Sequence, residues 1–363
     1  MSLIFLPLFF IFFSFSSFVK CDKLILVQSL FRHGDRTPTG TYPTDPYQED
    51  FWPISWGQLT TLGMQQHFEQ GIKLRDIYVN QYQLFSAEYK DYNVYVRSTD
   101  VNRTLLSAYS QLAGFYANSL STYPSSNSMW PSHWTPVPVH TVEEETDHLL
   151  NSSPKCPRMS QIEEELKFKP RFVTFMQTQK PLLQNIAKNM GLSSNDFSSY
   201  SSTSKFYAAT RIEKFYNLTL PAWITDNLWE QYCNGKYMSD DYLYGNAGFG
   251  EAENVELIML KGGLLLKTMI SNMELVIANR TKTKYFMYSA HDTTINAFLR
   301  SLQAKQDILD YKTPDYAAIV LIELWKSDNL ETYIKARYIR NVSSAPEPIT
   351  QFIKGCNGKD SCF

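Results

Sequence analysis

Charge of one sign, cysteine and long apolar runs are all scarce in this sequence of 363 residues. Against 34 Lys and Arg stand 36 Asp and Glu. That near-balance excludes the strongly basic surface of a nucleic-acid-binding or polybasic membrane protein. No internal repeat or low-complexity tract is present, which sets aside solenoids and linkers. No histidine stands in a metal-ligand spacing such as H-E-x-x-H, so no metal site and no cofactor is expected. His67, His133, His140 and His148 are read as structural. Aromatic residues, by contrast, are plentiful at 15%, with 23 Tyr and 23 Phe, a composition that excludes disorder. At this length it implies one large domain or two intimate ones with a sizeable core.

The one long apolar run is N-terminal: "MSLIFLPLFFIFFSFSSFV" is uncharged, and polar residues begin at Lys20. Its length suits a secretory signal peptide over residues 1–21, cleaved before Asp22, although the usual basic start is missing. Cleavage removes Cys21 and leaves Cys156, Cys233, Cys356 and Cys362, an even number, as an oxidising compartment favours. Cys356 and Cys362 are close enough to staple the tail. Cys156 and Cys233 would then pair, with the other connectivities open. Five N-x-S/T triplets, at Asn102, Asn151, Asn217, Asn279 and Asn341, fit a secreted glycoprotein. No later run is long enough to cross a membrane, so the mature chain is expected to be free of it.

"KLILVQSLF" is a continuous apolar run, as expected of a strand buried on both faces. A long loop follows through Trp56, then Met64, Phe68 and Ile72 recur at helical spacing. "YNVYVRSTD" reads as a strand and "VNRTLLSAYSQLAGFYA" as the next helix. Residues 119–254 change character and are read as an inserted, mostly helical cap. The α/β pattern then resumes over 255–363. It holds a long helix over "ENVELIMLKGGLLLKTMISNMELVIAN", the strand "KYFMYSA", a helix from "HDTTINAFLRSL" and a hairpin turning at Asp328 and Asn329. The expected fold is α/β, a mainly parallel sheet with helices on both faces, formed by residues 22–118 and 255–363.

In such sheets ligands bind beyond the carboxyl ends of strands. Three polar clusters fall there: Arg32-His33-Gly34-Asp35-Arg36, the stretch Arg97 to Arg103, and His291-Asp292. Arginine suits a tetrahedral oxyanion because its planar fork gives parallel donors and stays charged. Arg32, Arg36 and Arg103, helped by a helix N-terminus, make a dianion site. Their charge favours a neutral, nucleophilic His33. Gly34 is expected to let the backbone approach the ligand and Pro38 to stiffen the loop's exit. His291 would donate to a phosphoryl oxygen. Asp292, with a pKa raised by burial beside phosphate, would protonate the leaving oxygen. The acidic run Glu143-Glu144-Glu145 is read as a solvated face, with a border to the site that discourages highly anionic substrates as the alternative, and Trp223 as core.

"RHGDRTP" with the later "HD" resembles the histidine acid phosphatases, the large branch of the histidine phosphatase superfamily, and "VRSTDVNRTLLSAYSQLAGFY" is similar to the segment bearing that family's further arginine. "PVPVHTV", "NLTLPAW" and "KCPRM" resemble its animal prostatic and lysosomal types and its insect venom and secreted types. The resemblance implies the family's α/β domain with a helical cap, and a phosphorylated nucleophile at His33. It implies a proton donor at Asp292 and phosphate-binding Arg32, Arg36, Arg103 and His291. It also implies a buried, unused sequon at Asn102, a disulfide partner for Cys156, either Cys233 or Cys362, and, as the alternative to core, a place for Trp223 in the pocket wall. The function so implied is a secreted acid phosphatase, with lysosomal delivery as an alternative. Its substrate would be a small phosphomonoester or a phosphopeptide, and the oligomeric state is open, a homodimer included. Rival readings are a phytase or inositol-polyphosphate phosphatase, or a secreted binding or venom component with vestigial catalysis.

Overall fold

A computed structural model of the chain describes residues 22–117, 119, 121–193 and 199–362; the N-terminal leader and its expected cleavage site lie outside them. At the centre stands β1 (Lys23–Arg32), buried without a break from Leu26 onward, as its unalternating apolar sequence requires. It pairs in parallel with β3 (Tyr285–Ala290), which pairs in parallel with β2 (Val94–Ser98). On its other side β1 meets β4 (Ile319–Lys326) antiparallel. The hairpin partner β5 (Thr332–Ile339) and the two-residue β6 (Glu347–Pro348) complete the order β2-β3-β1-β4-β5-β6. The α/β sheet expected from the sequence is therefore present.

Both faces of the sheet are covered. Leu26 and Leu30 of β1 and Tyr288 of β3 pack with Leu265 and Met269 of α8 (Leu264–Ile277) and with Ile295, Phe298 and Leu299 of α9 (Asp292–Ser301). Val27, Phe31 and Met287 face the opposite way. There they meet Leu74 of α1 (Thr61–Arg75) and Ala108, Leu112 and Phe115 of α2 (Asn102–Phe115). Each fully buried Leu, Val or Phe contributes roughly 1.5–3 kcal/mol relative to exposure.

α1 forms where the sequence places it but turns the other way. Met64, Phe68 and Ile72 are exposed, and the buried face is Gly63, Gln66, His67, Gln70 and Gly71. The glycines explain the rotation. A Cβ on Gly71 would stand 2.1 Å from the Gln111 carbonyl oxygen, and one on Gly114 would stand 2.0 Å from that of Phe68. The two helix backbones touch there, and only a Cβ-free face permits it. Gln66 and Gln70 spend their amides on loop backbone, bonding Asp35 N at 2.8 Å and Ala317 O at 2.9 Å. The same device acts between α7 (Val255–Ile258), its π-helical continuation Met259–Gly263, and α9: a Cβ on Gly262 would meet the Ala297 carbonyl oxygen at 2.3 Å.

Between α2 and α7 lie α3 (Pro157–Lys167), α4 (Pro170–Asn189), α5 (Ser204–Phe215) and α6 (Asp226–Leu243). They hold apolar clusters of their own, one around Leu183, Phe206 and Tyr232, the other around Ile162, Phe172 and Tyr242. Trp223 belongs to the first, stacked on Phe206 at 5.4 Å between ring centroids. Cys356 and Cys362 form the expected disulfide. The pairing expected of Cys156 is not made: Cys156 and Cys233 are free thiols, packed in different clusters.

Candidate active site

The register of the parallel strands fixes the site. Arg32 stands opposite Ala290, and Ser98 opposite Ser289. The residues that follow, His33, Thr99 and His291, therefore leave the sheet side by side. Arg103 reaches them from the first turn of α2, and Asp292 opens α9. All six residues singled out from the sequence, Arg32, His33, Arg36, Arg103, His291 and Asp292, act electrostatically on one another in this one place.

His33 is buried, and its Nδ1 lies 2.8 Å from the Gly34 carbonyl oxygen. A carbonyl only accepts, so this bond assigns the proton to Nδ1 and leaves the lone pair on Nε2. Burial first, and then the charges of Arg32, Arg103 and Arg36, hold His33 well below the usual imidazole range. It stays neutral in acid. His291 is held to about 3, by burial and then by Arg103. Its Nε2 lies 3.1 Å from Thr99 Oγ1, and its Nδ1 lies 3.4 Å from Arg103 Nη2. Guanidinium only donates, so Nδ1 of His291 accepts.

Arg32 is the most constrained cation. One Nη1 bond reaches the Pro314 carbonyl oxygen at 2.7 Å, Nη2 meets Asp292 Oδ2 at 3.1 Å, and the guanidinium lies 4.2 Å from the Tyr316 ring centroid. Burial lowers its pKa despite Asp292. Arg103 is lowered to about 10, again by burial first and then by Arg36. The buried Nε atoms of Arg32, Arg36 and Arg103 have no hydrogen-bond partner among the described residues. Unpartnered donors on three arginines of one cationic cluster fit an anion.

Four expectations change. His291 was expected to donate to a phosphoryl oxygen, but its Nδ1 accepts from Arg103 and its Nε2–H turns to Thr99 Oγ1, so it acts on the anion through Arg103. Asp292 was expected to have a raised pKa. Burial does push it up, but Arg32, Arg211 and His291 outweigh burial and hold it below the usual carboxylate range. Gly34 was expected to let the backbone approach the ligand. It instead admits α1, since a Cβ there would stand 2.4 Å from the Gly63 carbonyl oxygen. Asn102 was expected to be buried, yet it is exposed, its Nδ2 3.3 Å from Gln58 Oε1. Arg97 leaves the cluster for an ion pair with Asp147 at 2.8 Å. Of the residues read as structural, His67 supports the site from behind, its Nε2 3.0 Å from the Arg32 carbonyl oxygen. The exposed Glu144 is near enough to act on Arg103, so the acidic run borders the site.

Sequence reasoning missed Thr99, Tyr316 and, above all, Arg211 of α5. "TRIEKF" reads as a solvated helix, and nothing local marks its arginine.

A neutral, oriented histidine among converging arginines, at the ends of parallel strands, is the site of a phosphohydrolase, and the chain belongs to the histidine phosphatase superfamily, branch 2, whose model matches residues 23–342. Prostatic acid phosphatase of Homo sapiens is 35% identical over 354 residues, 96% of this chain and 86% of that protein. Lysosomal acid phosphatase of Xenopus laevis is 34% identical over 350 residues, 95% of this chain and 75% of that protein. Among solved structures, the apo form of Hafnia alvei phytase matches with a TM-score of 0.64 over 94% of each chain, at 16% identity. That last likeness is one of fold alone.

Proposed function

We propose that the chain is a secreted acid phosphatase that hydrolyses phosphate monoesters through a phosphohistidine on His33. The observation that carries this reading is the His33 ring: Nδ1–H is tied to Gly34 O, which leaves the lone pair on Nε2, and the ring stands among the charges of Arg32, Arg103 and Arg36. Arg32, Arg36 and Arg103 hold the phosphoryl oxygens, and His291 sits with Nδ1 toward the same cluster. Nε2 attacks phosphorus in line, the Nε2–P bond forms and the P–O ester bond breaks. Asp292 gives its proton to the departing oxygen. Water then attacks phosphorus and returns a proton to Asp292, the N–P bond breaks, and inorganic phosphate leaves.

The ionised Asp292 of the free enzyme needs a proton before it can donate one. A phosphomonoester loses its second proton near pH 6, so in acid the substrate arrives as a monoanion carrying that proton. Its negative charge also offsets the arginines that depress Asp292. Because His33 stays neutral in acid, the nucleophile remains competent where the substrate brings the proton. We therefore expect kcat/KM on an aryl phosphate to fall above roughly pH 6. A rate that climbs steadily past neutrality would remove Asp292 from its role.

The relatives named as acid phosphatases support this reading over a phytase, and Glu144 beside Arg103 disfavours substrates bearing many phosphates. The N-terminal leader and the exposed sequon residues Asn102, Asn217 and Asn279 support secretion and glycosylation. Residues 119–254 form the cap in this reading, and α5 brings Arg211 to the site.

A further inference from the structure

A groove of about 690 Å³ lies at the amino ends of the parallel strands, at the far end of the sheet from His33. Strand register makes it. β3 begins at Tyr285, opposite Val27 of β1 and Val94 of β2, so Lys23 to Leu26 project about 13 Å past its start. Among the described residues, five exposed lysines line this notch, Lys23, Lys90, Lys282, Lys284 and Lys326, and no aspartate, glutamate or arginine does. Lys23 opens β1 and stands opposite Lys326, the last residue of β4. Lys282 and Lys284 lead into β3, and Lys90 into β2. The cations therefore come from four adjacent strands and spread over about 14 Å.

None of the five makes an ion pair among the described residues. Lys284 Nζ donates to the Leu84 carbonyl oxygen at 2.9 Å, and burial, then Lys23 and Lys90, lower its pKa. The acidic residues next in sequence, Asp22, Asp91 and Glu331, do not line the groove, and Asp22 accepts from Tyr333 OH at 2.6 Å. A cleft lined by one sign of charge concentrates its field on what enters it.

We propose that this groove binds a sulfated polysaccharide. A linear polyanion supplies charge after charge along an extended chain and so matches a row that one small anion cannot. Lysine's compact ammonium suits single sulfates spaced along such a chain, whereas the planar fork of arginine, absent here, suits bidentate groups. The exposed ring of Tyr92 and the exposed Ile277 offer apolar contact to the C–H faces of sugar rings. The site is concave, so a chain can lie in it where a bilayer would bridge its rim. No residue of the groove belongs to the phosphate cluster, and binding there is independent of catalysis.

The test is calorimetric titration of a heparin octasaccharide into the full chain, wild type and Lys90→Gln/Lys282→Gln/Lys326→Gln. Wild type is expected to bind with an affinity that falls as salt rises. The triple variant should bind at least tenfold more weakly at about 0.1 M salt, with the slope of log K against log[salt] shallower by about 2. Lys188→Gln/Lys267→Gln/Lys359→Gln removes the same charge from other exposed positions and should bind as wild type does. Both triple variants should keep the wild-type kcat/KM on an aryl phosphate, which shows that they fold. Asn279 lines the same groove, so Asn279→Gln should bind at least as tightly as wild type; weaker binding would trace the affinity to a glycan there and overturn the proposal. No binding by wild type, equal losses in the two triple variants, an unchanged slope, or binding to phosphatidylserine vesicles and not to heparin would also overturn it.

Discussion

His67 gives the sharpest physical prediction because its energetics follow from one buried ring. It is fully buried, packs on Phe31 at 5.2 Å between centroids and lies 3.0 Å from the carbonyl oxygen of Arg32, the residue before the nucleophile. Burial lowers its pKa to about 4, against about 6.5 in an unfolded chain. The native state therefore refuses a proton that the unfolded chain accepts. The stability tied to this group is fully present above pH 6.5 and is lost as pH falls toward 4. At 1.36 kcal/mol per unit, the loss is about 3 kcal/mol. Glutamine can donate to the Arg32 carbonyl and accept from Gln111 but does not titrate. His67→Gln should be less stable than wild type at pH 7.5, having lost the ring's packing. That deficit should shrink by about 3 kcal/mol on going to pH 4. Urea unfolding at several pH values between 4 and 7.5 measures both curves. Parallel curves across that range would refute the argument. The point matters for function, since the proposed working range lies on the falling side of this curve.

Gly34→Ala places a methyl group 2.4 Å from the Gly63 carbonyl oxygen and 2.7 Å from its Cα, both backbone atoms that cannot rotate away. We expect destabilisation of roughly 1–3 kcal/mol or more and a displaced His33, seen as a lower Tm and a lower kcat; wild-type values for both would show that α1 yields freely. Asp292→Asn keeps the side chain's shape but removes the donor proton and the partner of Arg32. The kcat on an alkyl phosphate should fall by about 10²–10⁴, and by much less on a nitrophenyl ester that departs unaided; equal losses on both would argue against proton donation.

Much of the frame was legible in the sequence. β1 showed itself because a strand buried on both faces must be apolar throughout, and "KLILVQSLF" is. The phosphate cluster showed itself because a tight loop holding two arginines around a histidine has little other use. What stayed hidden was set by contacts between distant segments. α1 buries glutamines and glycines because its partner backbone sits within contact distance, and no hydrophobic period encodes that. Asp292 is held below the usual carboxylate range because the guanidiniums of Arg32 on β1, Arg211 on α5 and Arg36 on the loop after β1 act on it together. Arg211 lies over a hundred residues from every other cation of the cluster, on a helix whose pattern is that of an ordinary surface. Cys156 and Cys233 could not be kept apart by counting, because their separation depends on which cluster each helix enters.

The central claim is covalent, and it is tested directly by trapping the intermediate. Wild type and His33→Ala are mixed with a ³²P-labelled phosphomonoester, quenched within the turnover time and separated from free label. The account predicts acid-labile, base-stable phosphate on wild type, at a site mapping to the peptide around His33, and none on the variant. Equal labelling of the two proteins, or turnover by wild type with no labelled protein at any quench time, would contradict it.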